Sequence, residues 1–199
     1  MDLERIAGNA GNIIRMFNHV FATENGFDAQ RGLLFASGLA GYACHQAVKA
    51  SGGKFVVVET DAHKKFYMGD DVNKYLLEDK YSVLSFCNGF FEQTAKGEEA
   101  PAVVPLIRRA ASVIGDKEYR IWNVFPPEYV YTEIGNCWDG IYENMTSKYC
   151  ESPEEWPILF GIVLQNMMMI AAKVIKPEEA FRLSMECALF VSKMDDDSI

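Results

Sequence analysis

Apolar side chains recur every three or four positions from the start of the chain. Leu3, Ile6, Ala10, Ile13, Ile14, Phe17 and Phe21 fall on one face of a helix, a spacing that buries a stripe against a neighbouring element. Residues 23–30, with Asn25-Gly26 among them, are turn-forming and end this first helix. A second helix is predicted from there to Ala50, where Ser51-Gly52-Gly53 breaks it with residues that tolerate positive φ. Two helices in succession predict an antiparallel helical hairpin. On the second, Gly32, Ala36, Ala40, Ala43 and Ala47 are three or four residues apart and form a seam of small side chains on which another backbone can close. Gly32, Gly38 and Gly41 each weaken the helix by about 1 kcal/mol relative to alanine. Such a helix relies on tight packing, within the subunit or between subunits.

The pattern then changes. Residues 54–60 are short and β-branched, and residues 64–68 return beside them after Asp61-Ala62-His63, which predicts an antiparallel β-hairpin near residues 54–68. Gly69-Asp70-Asp71 supplies a stop and an N-cap for a short helix over residues 72–77. Leu84, Cys87, Phe90, Phe91 and Thr94 restore the helical period over residues 81–95, and Val103, Val104, Ile107, Ala110, Ala111 and Ile114 mark another helix after an exposed linker at residues 97–101. Within residues 116–131 the pattern fixes no conformation. Ile121, Trp122 and Val124 suit an extended stretch, and Pro126-Pro127 forbids helix continuation. A further helix, capped near Thr132, runs through Ile134, Trp138, Ile141, Tyr142 and Met145. Ser152-Pro153-Glu154-Glu155 reads as a capping box with proline at the first helical position, opening a helix to about Val174. Pro177 starts the last helix, and Asp195-Asp196-Asp197 leave a solvated acidic tail over residues 195–199. Together these elements predict a mainly α (α+β) fold, one multi-helix domain over residues 1–199 with a small antiparallel hairpin.

Composition narrows the class. With 199 residues, 49% of them hydrophobic and 24% charged, the chain has material for a full core. A net charge of -9 repels phosphate backbones and anionic membranes, and neither Lys64-Lys65 nor Arg108-Arg109 has aromatic-interleaved basic surroundings. Neither nucleic acid nor membrane is an expected partner. Five cysteines without paired spacing read as reduced thiols, and the first residues carry no secretory pattern, so the expected compartment is the cytoplasm. Residues 156–172 are uncharged and approach the length of a membrane span, but Gln165 and Asn166 at their centre favour a core helix.

Candidate chemistry is sparse. Only three histidines are present. His45 follows Cys44, but adjacent helical residues diverge by about 100°, and no C-x-x-C, H-x-x-x-H or H-E-x-x-H spacing supplies partners. No metal and no cofactor is expected. Asp61 and His63 share the hairpin tip, where a carboxylate-imidazole pair would make a general base, although turns favour aspartate in any case. Gln165, Asn166 and Glu186 are polar residues within apolar helices and, with Met168, are the candidate ligand-binding residues. Tyr42, Gln46 and Arg31 are further contributors from the small-residue helix. The leading expectation is a cytosolic, non-enzymatic interaction or regulatory protein, a helical homodimer joined through the seam of Gly32, Ala36, Ala40, Ala43 and Ala47. One alternative is a small-molecule binder with a helical pocket lined by Met167, Met168, Phe160 and Phe181 and oriented by Gln165 or Glu186. The other is an enzyme using Asp61 with His63 or His45, assisted by Glu186.

Overall fold

Helix α2 (Ala29–Ala50) is buried on nearly every side, from Gly32 through His45 and again at Ala47 and Val48. The computed structural model describes residues 2–24 and 26–198; Asn25 of the predicted break and residue 199 of the predicted tail lie outside them. Around α2 pack α6 (Pro127–Asn144), α7 (Trp156–Ala171) and α8 (Pro177–Val191). A helix buried all round must be small where its neighbours cross it, and the glycines mark those crossings. A Cβ at Gly41 would overlap the Ala188 carbonyl oxygen of α8, and one at Gly38 would come within 2.8 Å of the Ile134 side chain of α6. Ala36, Ala40, Ala43 and Ala47 are wholly inaccessible. The small-residue seam is therefore a contact inside one subunit, which corrects its expected role as a dimer interface: no surface remains on it for a second chain.

Helix α1 (Leu3–Val20) lays Ile6, Ala10, Ile13 and Phe17 inward and packs along α7. The sequence pairs it with α2, but between the two helices β1 (Ala22–Thr23) pairs with β2 (Gly26–Phe27) as a small ribbon. That ribbon redirects the chain, and α1 is fixed instead by Arg5, whose guanidinium meets Glu155 at 2.8 Å and the Tyr149 carbonyl at 2.8 Å. Glu155 is thus consumed by a long-range ion pair and by the Glu151 N–H at 2.8 Å, so the predicted capping box does not form; residues Pro153–Glu155 make a 3-10 turn leading into α7.

The hairpin is present, with β3 (Val56–Glu59) antiparallel to β4 (Lys65–Met68) and Val57 opposite Tyr67. Gly69, at φ 146°, caps the following short helix α3 (Asp70–Asn73), while Asp71 accepts the Lys54 N–H at 2.7 Å. Helix α4 (Val83–Thr94) crosses α7 closely, because a Cβ at Gly161 would overlap the Phe86 ring and Gln165 lies over Gly89. Helix α5 (Val103–Ser112) packs on α8. After it, Trp122 and Asn123 both take left-handed φ, 57° and 58°, closing a turn between bridged Ile121 and Phe125 where an extended stretch was expected. Pro127 then serves as the first residue of α6, more than a turn before Thr132, since a proline at that position lacks only an N–H the helix leaves unpaired. The fold is mainly α with a small antiparallel hairpin, and one connected core unites its helices.

Gly41→Ala is expected to destabilise the protein by about 2–3 kcal/mol, since the oxygen it meets belongs to backbone. Gly140→Ala, with open space around it on α6, is expected to stabilise by about 0.5–1 kcal/mol. Denaturant unfolding followed by circular dichroism measures both; equal stability of Gly41→Ala and wild type would contradict the α2–α8 contact.

Candidate functional site

The candidates singled out in the sequence do not assemble into one site. Asp61 and His63 are both exposed at the hairpin tip, and His63, at φ 59°, directs Nδ1 to Glu59 Oε1 at 2.8 Å instead of to Asp61. A broad trough of about 760 Å³ beside the tip is lined by residues 58–62 and 114–117 with Met68 and Ala111, and holds neither a histidine nor an aromatic ring. Met168 is fully buried with Met167, Phe160 and Phe181, so the predicted methionine-lined pocket is solid core. Asn166 is exposed and donates to its own helix at Ile162, and half-buried Gln165 covers Gly89. Glu186 accepts the Tyr119 hydroxyl at 2.9 Å and has Arg109 3.7 Å away, tying α8 to the turn before α6. Burial, then the Glu186 charge, pushes the Tyr119 phenol far up.

The buried histidine has a different setting. His45 on α2 has no exposed surface; its ring stacks on Phe55 at 4.7 Å and meets the edge of Tyr67 at 5.5 Å. Nδ1 lies 3.3 Å from the Ser192 carbonyl. Nε2 lies 3.4 Å from Asp195 Oδ2, off the line of a good hydrogen bond. Lys49, one turn further along α2, reaches the same oxygen at 2.7 Å, and the Asp196 N–H donates to Oδ1 at 3.1 Å. Burial opposes ionisation of Asp195, but the contacts with His45 and Lys49 outweigh it and hold the carboxyl well below the usual carboxylate range. The residues after Asp195 form a 3-10 turn, Asp196–Ser198. Tyr67 donates to Asp197 at 2.8 Å, and the Ser198 hydroxyl donates to the Lys65 carbonyl. The expected solvated acidic tail is thus docked on α2 and the hairpin through residues 195–198, with Asp195 buried while Asp196 and Asp197 remain exposed.

Asp195 also lines a cleft of about 430 Å³ bounded by α2, α6, the start of α7 and the 3-10 turn. Tyr131, Gly135, Trp138 and Tyr142 stand at four-, three- and four-residue steps on α6 and share one face. Tyr42 and Gln46 contribute from α2, as the sequence suggested for them, and Trp156 from α7. The rings interlock edge to face, Tyr42 on Trp138 at 5.3 Å, Trp138 on Trp156 at 5.4 Å and Trp156 on Tyr142 at 5.8 Å. Tyr142 is 43% exposed while Trp138 and Trp156 are each 4% exposed, so Tyr142 is a wall and the indoles are floor. A Cβ on Gly135 would meet no atom within 4 Å; that absent side chain leaves the cleft open. Asp139 and Asp196 complete the lining, and Asp196 accepts the Tyr131 hydroxyl at 3.1 Å. Burial raises the Tyr42 pKa, its contact with Tyr131 opposes the rise, and the charges of Asp195, Asp196 and Asp139 add to it. A second hollow of about 200 Å³ shares Ala50, Tyr142 and Trp156 with the cleft.

No family model, curated protein or solved structure matches this chain. The site therefore speaks through its own chemistry. It offers aromatic surface, phenol donors and carboxylates, while the one nearby imidazole is sealed behind Asp195. Among the described residues no group of three or more His, Cys, Asp and Glu side chains is arranged to hold a metal ion, and none of the helices is long and apolar enough to cross a membrane. The five cysteines are free, and burial drives the Cys44, Cys87 and Cys187 thiols upward, away from reactive thiolates. Trp138, Tyr142, Trp156, Tyr131, Asp139 and Asp196 were not singled out in the sequence. A signal did exist on α6, where aromatic rings recur along one helical face with a glycine among them; the contribution of Asp195 and Asp196 had none.

Asp195→Asn is expected to cost about 1–2 kcal/mol at pH 7, a value discounted for the half-exposed Lys49, and to release residues 195–198. Because the folded carboxyl has the lower pKa, its contribution is complete above the unfolded value near 4 and fades as pH falls further. The stability gap between wild type and variant should be flat from pH 5 to 8 and narrow below about 4. Hydrogen exchange of the Tyr67 amide, which donates to the Lys193 carbonyl, should quicken in the variant.

Proposed function

We propose that this protein binds a small molecule in the cleft between α2, α6 and α7. One observation carries the reading: a hollow of about 430 Å³ with a floor of interlocked aromatic rings, a vacancy at Gly135 and a few converging polar groups. Ligand sites combine apolar surface with a small number of placed polar atoms, and volumes of several hundred Å³ are usual for them. The wider trough at the hairpin tip lacks the aromatic surface. Homodimerisation through the α2 seam has lost its support, because those residues are interior. Catalysis by Asp61 with His63 has lost its support as well, because the two side chains do not pair and His63 is bound to Glu59.

The test fills the cleft from within. Gly135→Leu places a side chain in open space and removes a helix-weakening glycine, so the variant is expected to be at least as stable as wild type. Thermal stabilisation across a library of small molecules should pick out compounds that raise the wild-type melting temperature and leave Gly135→Leu unmoved. Compounds that stabilise both proteins alike, or a wild type that no compound stabilises, would overturn the proposal.

A further inference from the structure

The charges around the cleft are unequal, and their pairing shows which of them are spoken for. Lys49 is the only cationic side chain in the lining, and its ammonium is already held by Asp195 at 2.7 Å. Asp197, next along the turn, has Lys65 at 3.3 Å. Among the described residues, Asp139 and Asp196 have no Lys, Arg or His nitrogen within 4.0 Å. Asp196 has a phenol donor, Tyr131, but no counter-charge. The cleft is thus an aromatic basin with two uncompensated carboxylates at its edge. The same field reaches the Tyr42 hydroxyl, where these carboxylates add to burial in disfavouring a further negative charge.

An anionic ligand would be repelled here, and a neutral one would leave both carboxylates without a counter-charge. Among the described residues no cluster of three or more His, Cys, Asp and Glu side chains is arranged to hold a metal ion, so nothing favours a dedicated metal site over an organic cation. What fits is an organic cation, attracted at once by the π-faces and by the carboxylates. Resting on the small-molecule reading above, we infer that the ligand is a small organic ammonium ion, seated against the exposed face of Tyr142 with Asp139 and Asp196 as its counter-charges. The cleft exceeds the size of an ammonium head alone, so the ligand carries a tail, and the adjoining hollow between Tyr142 and Trp156 is the path open to it.

Three probes separate the possibilities: choline, a quaternary ammonium; 1,5-diaminopentane, a primary one; and 3,3-dimethylbutan-1-ol, the uncharged carbon counterpart of choline. Binding is measured by calorimetry and by tryptophan fluorescence, on wild type, Gly135→Leu and Asp139→Asn. Asp139 is exposed and makes no ion pair, so its substitution leaves the fold intact. One or both ammonium probes should bind at least about tenfold more tightly than the alcohol, with affinity falling as salt rises. The better probe identifies the head as alkylated or primary. Asp139→Asn should weaken binding about three- to tenfold, and Gly135→Leu should abolish it. If the alcohol binds as tightly as choline, or if Asp139→Asn changes nothing, the ammonium inference is overturned while the cleft remains a ligand site. If none of the probes binds, the inference falls, and the library comparison on Gly135→Leu decides the cleft separately. Tighter binding of a lysine-containing peptide than of either free amine would also overturn it, in favour of a protein partner.

Discussion

Contact between the backbones of α2 and α8 sets the geometry of everything else in this molecule. Two helices can approach to that distance only where side chains are missing, and Gly41 beneath Ala188 is such a place. Moving α8 outward by the width of one methyl group would loosen the shells that α6 and α7 make around α2, because a close-packed interior transmits such a shift instead of absorbing it. The weak intrinsic helicity of a segment with three glycines is the cost, and it is offset by burial on every side. Local preference and tertiary demand conflict at α2, and the tertiary demand prevails.

Burying a helix so completely makes each of its polar atoms a liability. Ser37 and Cys44 return their hydrogens to the carbonyls of Leu33 and Ala40 on the same helix, which settles them locally. His45 cannot do so, and its partners come from the far end of the chain, Ser192 and Asp195. The docked turn at residues 195–198 follows from that need. Once it is in place, Asp195 and Asp196 stand beside the aromatic face of α6, so the solution of a core problem also supplies charge to the cleft.

Much of the architecture was legible from periodicity. The starts and ends of α1, α2, α5 and α8 follow the spacing of apolar residues and the glycine and proline breaks, and the hairpin follows from β-branched residues on either side of a polar turn. Neighbour relations were not legible. That α1 pairs with α7 depends on the pairing of β1 with β2 and on Arg5 meeting Glu155 across 150 residues of sequence, and neither leaves a local trace. Pro127 was misleading for a physical reason: proline stops a helix from within but suits its first turn, and the two roles look alike in a sequence. For the site, Tyr42 and Gln46 were visible as polar groups on an apolar helix. Met168 was not separable from core by its chemistry, since a methionine fills gaps and lines pockets equally well. The acidic residues near the end read as a solvated tail because aspartate usually is solvated, and only the buried imidazole of His45, far away in sequence, explains why Asp195 is buried and the turn after it docked.

The clasp between Lys49 and Asp195 joins residues 146 apart in sequence. During synthesis, α2 leaves the ribosome long before the residues that complete its polar contacts, and contacts of such separation form late because the loop they close is long. Until residues 192–198 arrive, His45 has neither of its partners and the cleft lacks one of its sides. A ligand recruited there would consequently recognise only chains in which residues 192–198 have docked on α2, so that its binding and the closure of the α2 polar contacts are one equilibrium.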